Sequence, residues 1–239
     1  MESCFYIVSM GKLQGQSSFF KPGPPALIGE AHQPIVHFLL KESLGSSILD
    51  LGGGSGAYSL EMKTKGFEPL VVDLDEASLS IAKKNGLNTK KITTDEDLGS
   101  GVADTVILIE VLEHVEDPKQ FLEKAIRAAR KRVLFTFPCT NDFTTLFGLG
   151  LSYAHIAVSD HLWHFSRSEI EKILKTLGKS YRIEESDYLF PHMVFALMQN
   201  CTKFPPLGRL VFSPIRVLNR LGLVKKRFPS RFYGIIDVI

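Results

Sequence analysis

The sequence predicts an α/β fold, a largely parallel sheet covered by helices on both faces. Three observations predict it. From Ser47 onward, short apolar runs alternate with helical stretches of about 10–15 residues, the pattern of parallel strands joined by crossover helices. The run Asp104–Glu110 is continuously apolar and rich in β-branched residues, as a strand buried on both faces must be. The composition, 44% hydrophobic and 23% charged over 239 residues, is an ordinary globular balance that excludes collagen-like, coiled-coil and disordered chains.

Residues 1–25 are irregular, punctuated by Gly11, Gly15, Pro22, Pro24 and Pro25. Residues 26–44 carry a helical stripe of Ile28, Ile35, Phe38, Leu39 and Leu40. Ser47–Leu51 is the first strand and enters a glycine cluster, after which residues 57–65 form a helix stopped at Gly66. A second strand spans residues 69–73. The helix after it, residues 76–85, is closed by Gly86 at its C-terminal cap. Residues 89–93 suggest a third strand and 104–110 the fourth. Asp117-Pro118 reads as an N-cap with proline at the first helical position, opening a helix to about Lys131. Residues 132–137 are the fifth strand, ended by Pro138. Ser166 and Glu169 form a capping box for a helix running to Gly178. Residues 181–189 and 232–239 supply the last two strands. Residues 190–231, with five prolines and no sheet signal, read as an insertion capping one edge of a core built from 26–189 and 232–239.

Charge is uneven. Residues 201–239 are +7 by formal count, Arg231 included, while residues 1–200 are −5. Apolar residues interleave the bases, as in Leu210, Val211, Ile215 and Leu218 beside Arg209 and Arg216, a pattern suited to contact with a membrane surface through residues 203–231. A solvated face packed against the body's own acids is the alternative. No aromatic-plus-basic stripe suggests a nucleic-acid partner. The three cysteines (Cys4, Cys139, Cys201) are scattered, and neither a basic leader nor a run of about 18 apolar residues is evident. A cytoplasmic location is expected.

Residues 48–57 (ILDLGGGSGA) follow a strand and open a helix, the setting of a nucleotide-binding glycine loop. Gly52 and Gly54 permit a tight turn and close backbone approach to a ligand. The same spacing also satisfies the dinucleotide fingerprint, so a nicotinamide-dependent oxidoreductase remains open on the glycines alone. The flanks separate the two. Asp50 precedes the first glycine by two residues, awkward beside a pyrophosphate but useful near a cationic amino acid moiety. Asp73 closes the second strand 21 residues after Gly52, where a carboxylate can accept both hydroxyls of a ribose.

Together with Leu112-Glu113-His114, these residues resemble the class I S-adenosylmethionine-dependent methyltransferases, over about residues 26–178. The resemblance implies a Rossmann-like, doubly wound, seven-stranded and mostly parallel sheet, with S-adenosylmethionine as cofactor. It implies that Asp50, Gly52, Gly54 and Gly56 line the methionine and ribose portions, that Asp73 binds the ribose and that Leu74 packs on the adenine. Asp95 or Glu96 would face the adenine amine, although the family's spacing from Leu98 counts back to Thr94. Glu110 to Leu112 would floor the pocket beneath the sulfonium.

Glu110-x-x-Glu113-His114 places two carboxylates and an imidazole on one face, provided that Glu110 opens a helical turn. The pattern is similar to ubiquinone-biosynthesis O-methyltransferases and to small-RNA 3′-terminal 2′-O-methyltransferases, where such a cluster can hold a metal at the acceptor hydroxyl. His155, His161 or His164 would complete such a set. The turn is read here as a hydrogen-bonded wall of the acceptor pocket, with no metal assigned. Residues 160–167 (DHLWHFSR) resemble a segment that reaches over the active site in this superfamily, so that His161, Trp163 and His164 would contact the acceptor; packing anchors and surface hydrogen bonds are the bland alternative. His114 or His161 is the expected general base. The expected reaction is in-line methyl transfer to a small-molecule or lipid-like acceptor; a protein that binds the cofactor without catalysis is the remaining alternative.

Overall fold

The computed structural model describes residues 32–93, 98–141, 160–187 and 229–239. Expectations that rest on residues 1–31, 94–97, 142–159 and 188–228, among them Asp95, His155 and most of the basic stretch, lie outside the described residues. Seven strands form one sheet in the order β3-β2-β1-β4-β5-β7-β6. They are β1 (Ser47–Leu51), β2 (Glu68–Asp73), β3 (Asn88–Lys91), β4 (Ala103–Ile109), β5 (Ala129–Pro138), β6 (Ser180–Ser186) and β7 (Arg231–Asp237). β1 to β5 are parallel, and β7 runs antiparallel between β5 and β6. Helices α1 (Gln33–Glu42), α2 (Ala57–Thr64), α3 (Glu76–Lys84), α4 (Pro118–Ala128) and α5 (Arg167–Thr176) cover it.

β4 shows how one strand serves two cores. Successive side chains point to opposite faces. Val106 and Leu108 join the cluster under α4 and α5, with Leu122, Ala125, Ile170 and Leu174. Ile107 and Ile109 join the cluster under α1 and α2, with Ile35, Leu39 and Met62. All four β4 residues are less than a tenth exposed. That double burial is why the strand reads as an unbroken apolar run. In β7, Gly234 pairs with Phe135 of β5, and a Cβ there would fall 2.0 Å from the Phe135 ring. The missing side chain is what lets the phenylalanine lie across its neighbour.

The local punctuation acts as the sequence implies. Asp117 caps α4 by accepting the Gln120 N–H at 2.9 Å, with Pro118 following. Ser166 N–H donates to Glu169 Oε2 at 2.8 Å at the start of α5. Gly86 ends α3 at φ 78°. Several boundaries shift by a few residues, and the shift of α4 has a visible cause. α4 stops at Ala128, three residues before Lys131, because Ala129 already pairs with Ala103. The basic run beyond it is drawn into ion pairs: Arg130 and Lys131 with Asp104, and Arg132 with Glu42 and Asp237. Tertiary pairing overrides helix propensity there.

The chain leaves β1 toward β2 and β3, then returns to lay β4 on the other flank of β1. The carboxyl ends of β1 and β4 therefore diverge, and in open α/β sheets such a switch point is where ligands bind.

Candidate active site

The glycine turn between β1 and α2 is built for close approach. Gly52, Gly54 and Gly56 have φ of 77°, 53° and 75°, values an L side chain adopts only with strain. Gly52 N–H donates to the Val72 carbonyl at 2.7 Å, and Gly54 N–H donates to Asp73 Oδ2 at 2.8 Å. The Asp75 N–H donates to Asp73 Oδ1 at 2.9 Å. The last residue of β2 is thus locked against the turn, with further acceptor capacity on each oxygen. Leu74, beside it, is 50% exposed on the rim. Gly56 is buried, and a Cβ there would meet Leu87 at 2.4 Å, so close packing of α2 requires this glycine.

Asp50 lies under the turn. It is 2% exposed, and the buried Ser59 hydroxyl donates to its Oδ2 at 2.6 Å. Its surroundings are those of a buried acid satisfied by a hydroxyl. Burial raises its pKa to about 6, the Ser59 hydrogen bond opposes that rise and the Asp73 charge adds to it. Gly53, which sequence reasoning passed over, is the residue that makes room: a Cβ there would stand 2.5 Å from the Asp50 Cγ.

β4 ends against the same turn, since a Cβ on Gly52 would fall 2.8 Å from Val111 Cγ2. Glu110 does not open a helical turn. It sits at φ 55°, outside the helical region. Its Oε1 accepts from the Thr136 hydroxyl at 2.9 Å and from Arg231 Nε at 3.0 Å. The shared helical face for Glu110, Glu113 and His114, which depended on such a turn, is therefore not formed. The left-handed residue reverses the chain as it leaves the sheet, and Arg231 captures the carboxylate.

Glu113 and His114 instead meet the 160–165 segment. The Glu113 carbonyl accepts the N–H groups of Leu162 and Trp163 at 2.7 and 3.2 Å, and the Val115 carbonyl accepts the Trp163 indole at 2.8 Å. His114 packs edge to face on His161, with ring centroids 4.8 Å apart. His114 Nδ1 lies 3.0 Å from the Asp160 carbonyl oxygen. A carbonyl only accepts, so Nδ1 carries the proton and the neutral ring keeps its lone pair on Nε2, 3.9 Å from Glu113 Oε1.

Glu113 is 1% exposed, and neither carboxylate oxygen accepts a hydrogen bond from the described residues. Burial, then the nearby Glu110 charge, pushes its pKa well above the carboxylate range. Donor atoms of Glu113, His114 and His161 lie within 4.8 Å of one another, a set able to hold a divalent ion. His164 is exposed, its ring 6.1 Å from that of His161. Leu162 and Trp163 are also exposed, at 52% and 42%, while Phe165 is the buried anchor on which Trp163 stacks.

Sequence reasoning also missed Arg231, grouping it with the basic stretch. It is the first residue of β7 and only 17% exposed. Its guanidinium bridges Glu110 and Asp187, and Tyr233 Oη donates to the same Asp187 oxygen at 2.9 Å. Tyr58, in the first turn of α2, lies within the field of these groups. No local pattern marks this cluster, because its members come from β4, β7 and the end of β6.

A glycine turn at the switch point, an acid locking it from β2 and a carboxylate–imidazole cluster after β4 are the features that the fold gathers at the carboxyl ends of its parallel strands. Residues 27–180 match the methyltransferase-domain family, and the chain belongs to that family. It is similar to the ubiquinone biosynthesis O-methyltransferase of Hahella chejuensis, 35% identical over 94 residues, 36% of this chain and 40% of that one. The enzyme of the same name from Alkalilimnicola ehrlichii is 31% identical over 120 residues, 46% of this chain and 49% of that one. The chain spans less than half the length of these curated relatives. The fold is shared with a solved S-adenosylmethionine-dependent methyltransferase of Archaeoglobus fulgidus, with TM-score 0.58, 19% identity and coverage of 88% of this chain and 96% of that one. It is also shared with magnesium protoporphyrin IX methyltransferase of Synechocystis, solved with S-adenosylhomocysteine, with TM-score 0.53, 18% identity and coverage of 85% and 80%.

Proposed function

We propose that this protein is an enzyme that moves a methyl group from S-adenosylmethionine to a small-molecule or lipid-like acceptor by in-line displacement. The observation that carries the reading is the 2.8 Å bond from Gly54 N–H to Asp73 Oδ2, which couples the glycine turn to the ribose-binding acid in a chain of the methyltransferase-domain family. S-adenosylmethionine, when bound, supplies a methyl group already activated on a sulfonium. The residues present fit it. Asp73 keeps acceptor capacity for ribose hydroxyls, Gly52 and Gly54 bring bare backbone to the methionine and ribose portions, and Leu74 offers an apolar rim to the adenine.

The chain's remaining task is to position the acceptor and exclude water. His114 is the better placed of the two expected bases: with Nδ1–H held by Asp160, its Nε2 takes the proton from an acceptor hydroxyl or amine. His161, stacked edge to face on it, fixes the ring and can relay that proton. Leu162 and Trp163 present exposed apolar surface beside the two imidazoles, which suits an aromatic or lipid-like acceptor, as do relatives named for ubiquinone biosynthesis. Contact with a membrane surface through residues 203–231 is part of the proposal. No helix among the described residues is long and apolar enough to cross a membrane.

A second reading is favoured by the Glu113 carboxylate. Glu113, His114 Nε2 and His161 would hold a divalent cation, a Lewis acid for the acceptor hydroxyl. Calorimetric titration of chelator-treated protein with Mn²⁺, Mg²⁺ and Zn²⁺ tests it: saturable binding lost in Glu113→Gln supports the cation, and its absence leaves His114 as the base.

Thermal melting with S-adenosylhomocysteine, NADH or no ligand tests the main reading. A ligand at one hundred times its dissociation constant adds about 2.7 kcal/mol, or roughly 5–10 °C for a domain of this size. A shift with S-adenosylhomocysteine alone is expected. A shift with NADH alone would overturn the proposal in favour of an oxidoreductase. Flotation with anionic vesicles, with and without residues 203–228, tests the membrane contact and leaves Arg231 in β7.

A further inference from the structure

Two non-glycine residues among those described have left-handed backbone, Glu110 at φ 55° and Asp187 at φ 52°. They follow β4 and β6 directly, at the edge of the sheet where the glycine turn lies. Such conformations cost on the order of 1–3 kcal/mol each, and they persist where surrounding structure over-determines them, often at functional sites. Both side chains grip one guanidinium, that of Arg231.

The cluster is closed on several sides. Thr136 donates to the same Glu110 oxygen that Arg231 holds, and Tyr233 donates to the same Asp187 oxygen. Both contacts to Glu110 fall on Oε1, and Oε2 has none among the described residues. The Glu110 side chain is 29% exposed and that of Arg231 17%, so the carboxylate is the more accessible partner. With one base and two acids, the cluster carries one net negative charge. Its neighbours tie it to the cofactor turn, since Val111 abuts Gly52 and Tyr58 stands in the first turn of α2.

We propose that Arg231, anchored by Asp187, is a positioning residue that aims the Glu110 carboxylate at the sulfonium, so that the site distinguishes the cationic cofactor from its neutral thioether product. The inference rests on the methyltransferase reading. S-adenosylmethionine and S-adenosylhomocysteine share adenine, ribose and amino acid, and they differ in one methyl group and one positive charge. A carboxylate aimed at the sulfur favours the former, and the preference vanishes when the methyl has left, which assists product release. Arg231 would by its own charge oppose a bound cation, so its expected benefit comes only through the orientation it imposes on Glu110. Field and positioning therefore predict opposite signs for its removal.

The experiment is calorimetric measurement of both dissociation constants on the full chain, read as the ratio of the constant for S-adenosylmethionine to that for S-adenosylhomocysteine. Glu110→Gln is expected to raise the ratio roughly tenfold, the size of one partly screened charge. Arg231→Met is expected to raise it in the same direction, Arg231→Lys to restore part of the loss, and the double variant to be no worse than Glu110→Gln alone. A ratio that falls in Arg231→Met would overturn the positioning role, as would a ratio unchanged in Glu110→Gln. Equal weakening of both ligands in every variant would mean a merely structural cluster. Thr136→Val, which removes one donor to Glu110 without touching a charge, gives a milder variant if Arg231→Met fails to fold, and is expected to raise the ratio slightly. Failure of the wild-type chain to bind either compound would instead overturn the methyltransferase reading.

Discussion

A Cβ on Gly53 would stand 2.5 Å from the carboxyl carbon of Asp50, three residues earlier at the end of β1. Gly53 has no left-handed φ, so its identity is dictated by contact with a buried acid. Gly53→Ala must push the Asp50 carboxylate off the Ser59 hydroxyl or move the turn. The expected loss is about 1–3 kcal/mol of stability, the usual cost of overpacking. Urea unfolding with and without S-adenosylhomocysteine checks it: the variant should lose stability and gain less from the ligand than wild type does.

The same acid predicts a pH dependence. Asp50 ionises near 6 in the folded chain, against an ordinary value near 3.8. The folded state therefore holds this proton more firmly than the unfolded state. Its contribution is most favourable below pH 3.8, and stability is lost as pH rises through 6, up to roughly 3 kcal/mol. Asp50→Asn keeps the shape and removes the titration. Urea unfolding from pH 4 to 8 should show a downward component between about pH 4 and 6 in wild type that is missing from the variant.

Asp73 serves the turn and, in the proposal, the ribose. Asp73→Asn loses the charge that the Gly54 and Asp75 N–H groups point at, and one oxygen becomes a donor. Hydrogen bonds to charged groups are worth about 1.5–3 kcal/mol each. Affinity for S-adenosylhomocysteine should fall by at least tenfold, with a smaller change in melting temperature. Unchanged affinity would remove Asp73 from the cofactor site.

His114 separates binding from chemistry. His114→Ala should leave S-adenosylhomocysteine affinity within about twofold and reduce methyl transfer by roughly 10²–10⁴, the range for a lost general base. The measurement is transfer of a radiolabelled methyl group to the acceptor found by screening. His161→Phe retains the ring stacking but no nitrogen, so a loss there comparable to that of His114→Ala would favour the relay or the cation over packing.

Much of the architecture can be read locally. Asp117-Pro118, the Ser166–Glu169 box and Gly86 each act through neighbours within a few residues, and all three appear where expected. The apolar run of β4 announces burial on both faces because no strand can hide such a run otherwise. Gly52, Gly54 and Asp73 are recognisable from spacing, since a tight turn followed by an acid about twenty residues later is a local consequence of one βαβ unit. The α4 boundary was out of reach, because what ends the helix is Asp104 and Ala103 attracting residues 129–131 from another strand.

The active-site cluster divides along the same line. Asp50 and the glycines, Asp73, and Glu113 with His114 lie in three short segments, and residue type and order single them out as candidates. Tertiary structure decided which of the carboxylates face each other. It tied Glu110 to Thr136 and Arg231, set His161 against His114 across a gap of 47 positions, and buried Arg231 between Glu110 and Asp187. A basic residue at the edge of a basic stretch looks like solvated charge in one dimension. Only the antiparallel insertion of β7 between β5 and β6 brings it beside two acids, because strand order is fixed by packing across the whole sheet.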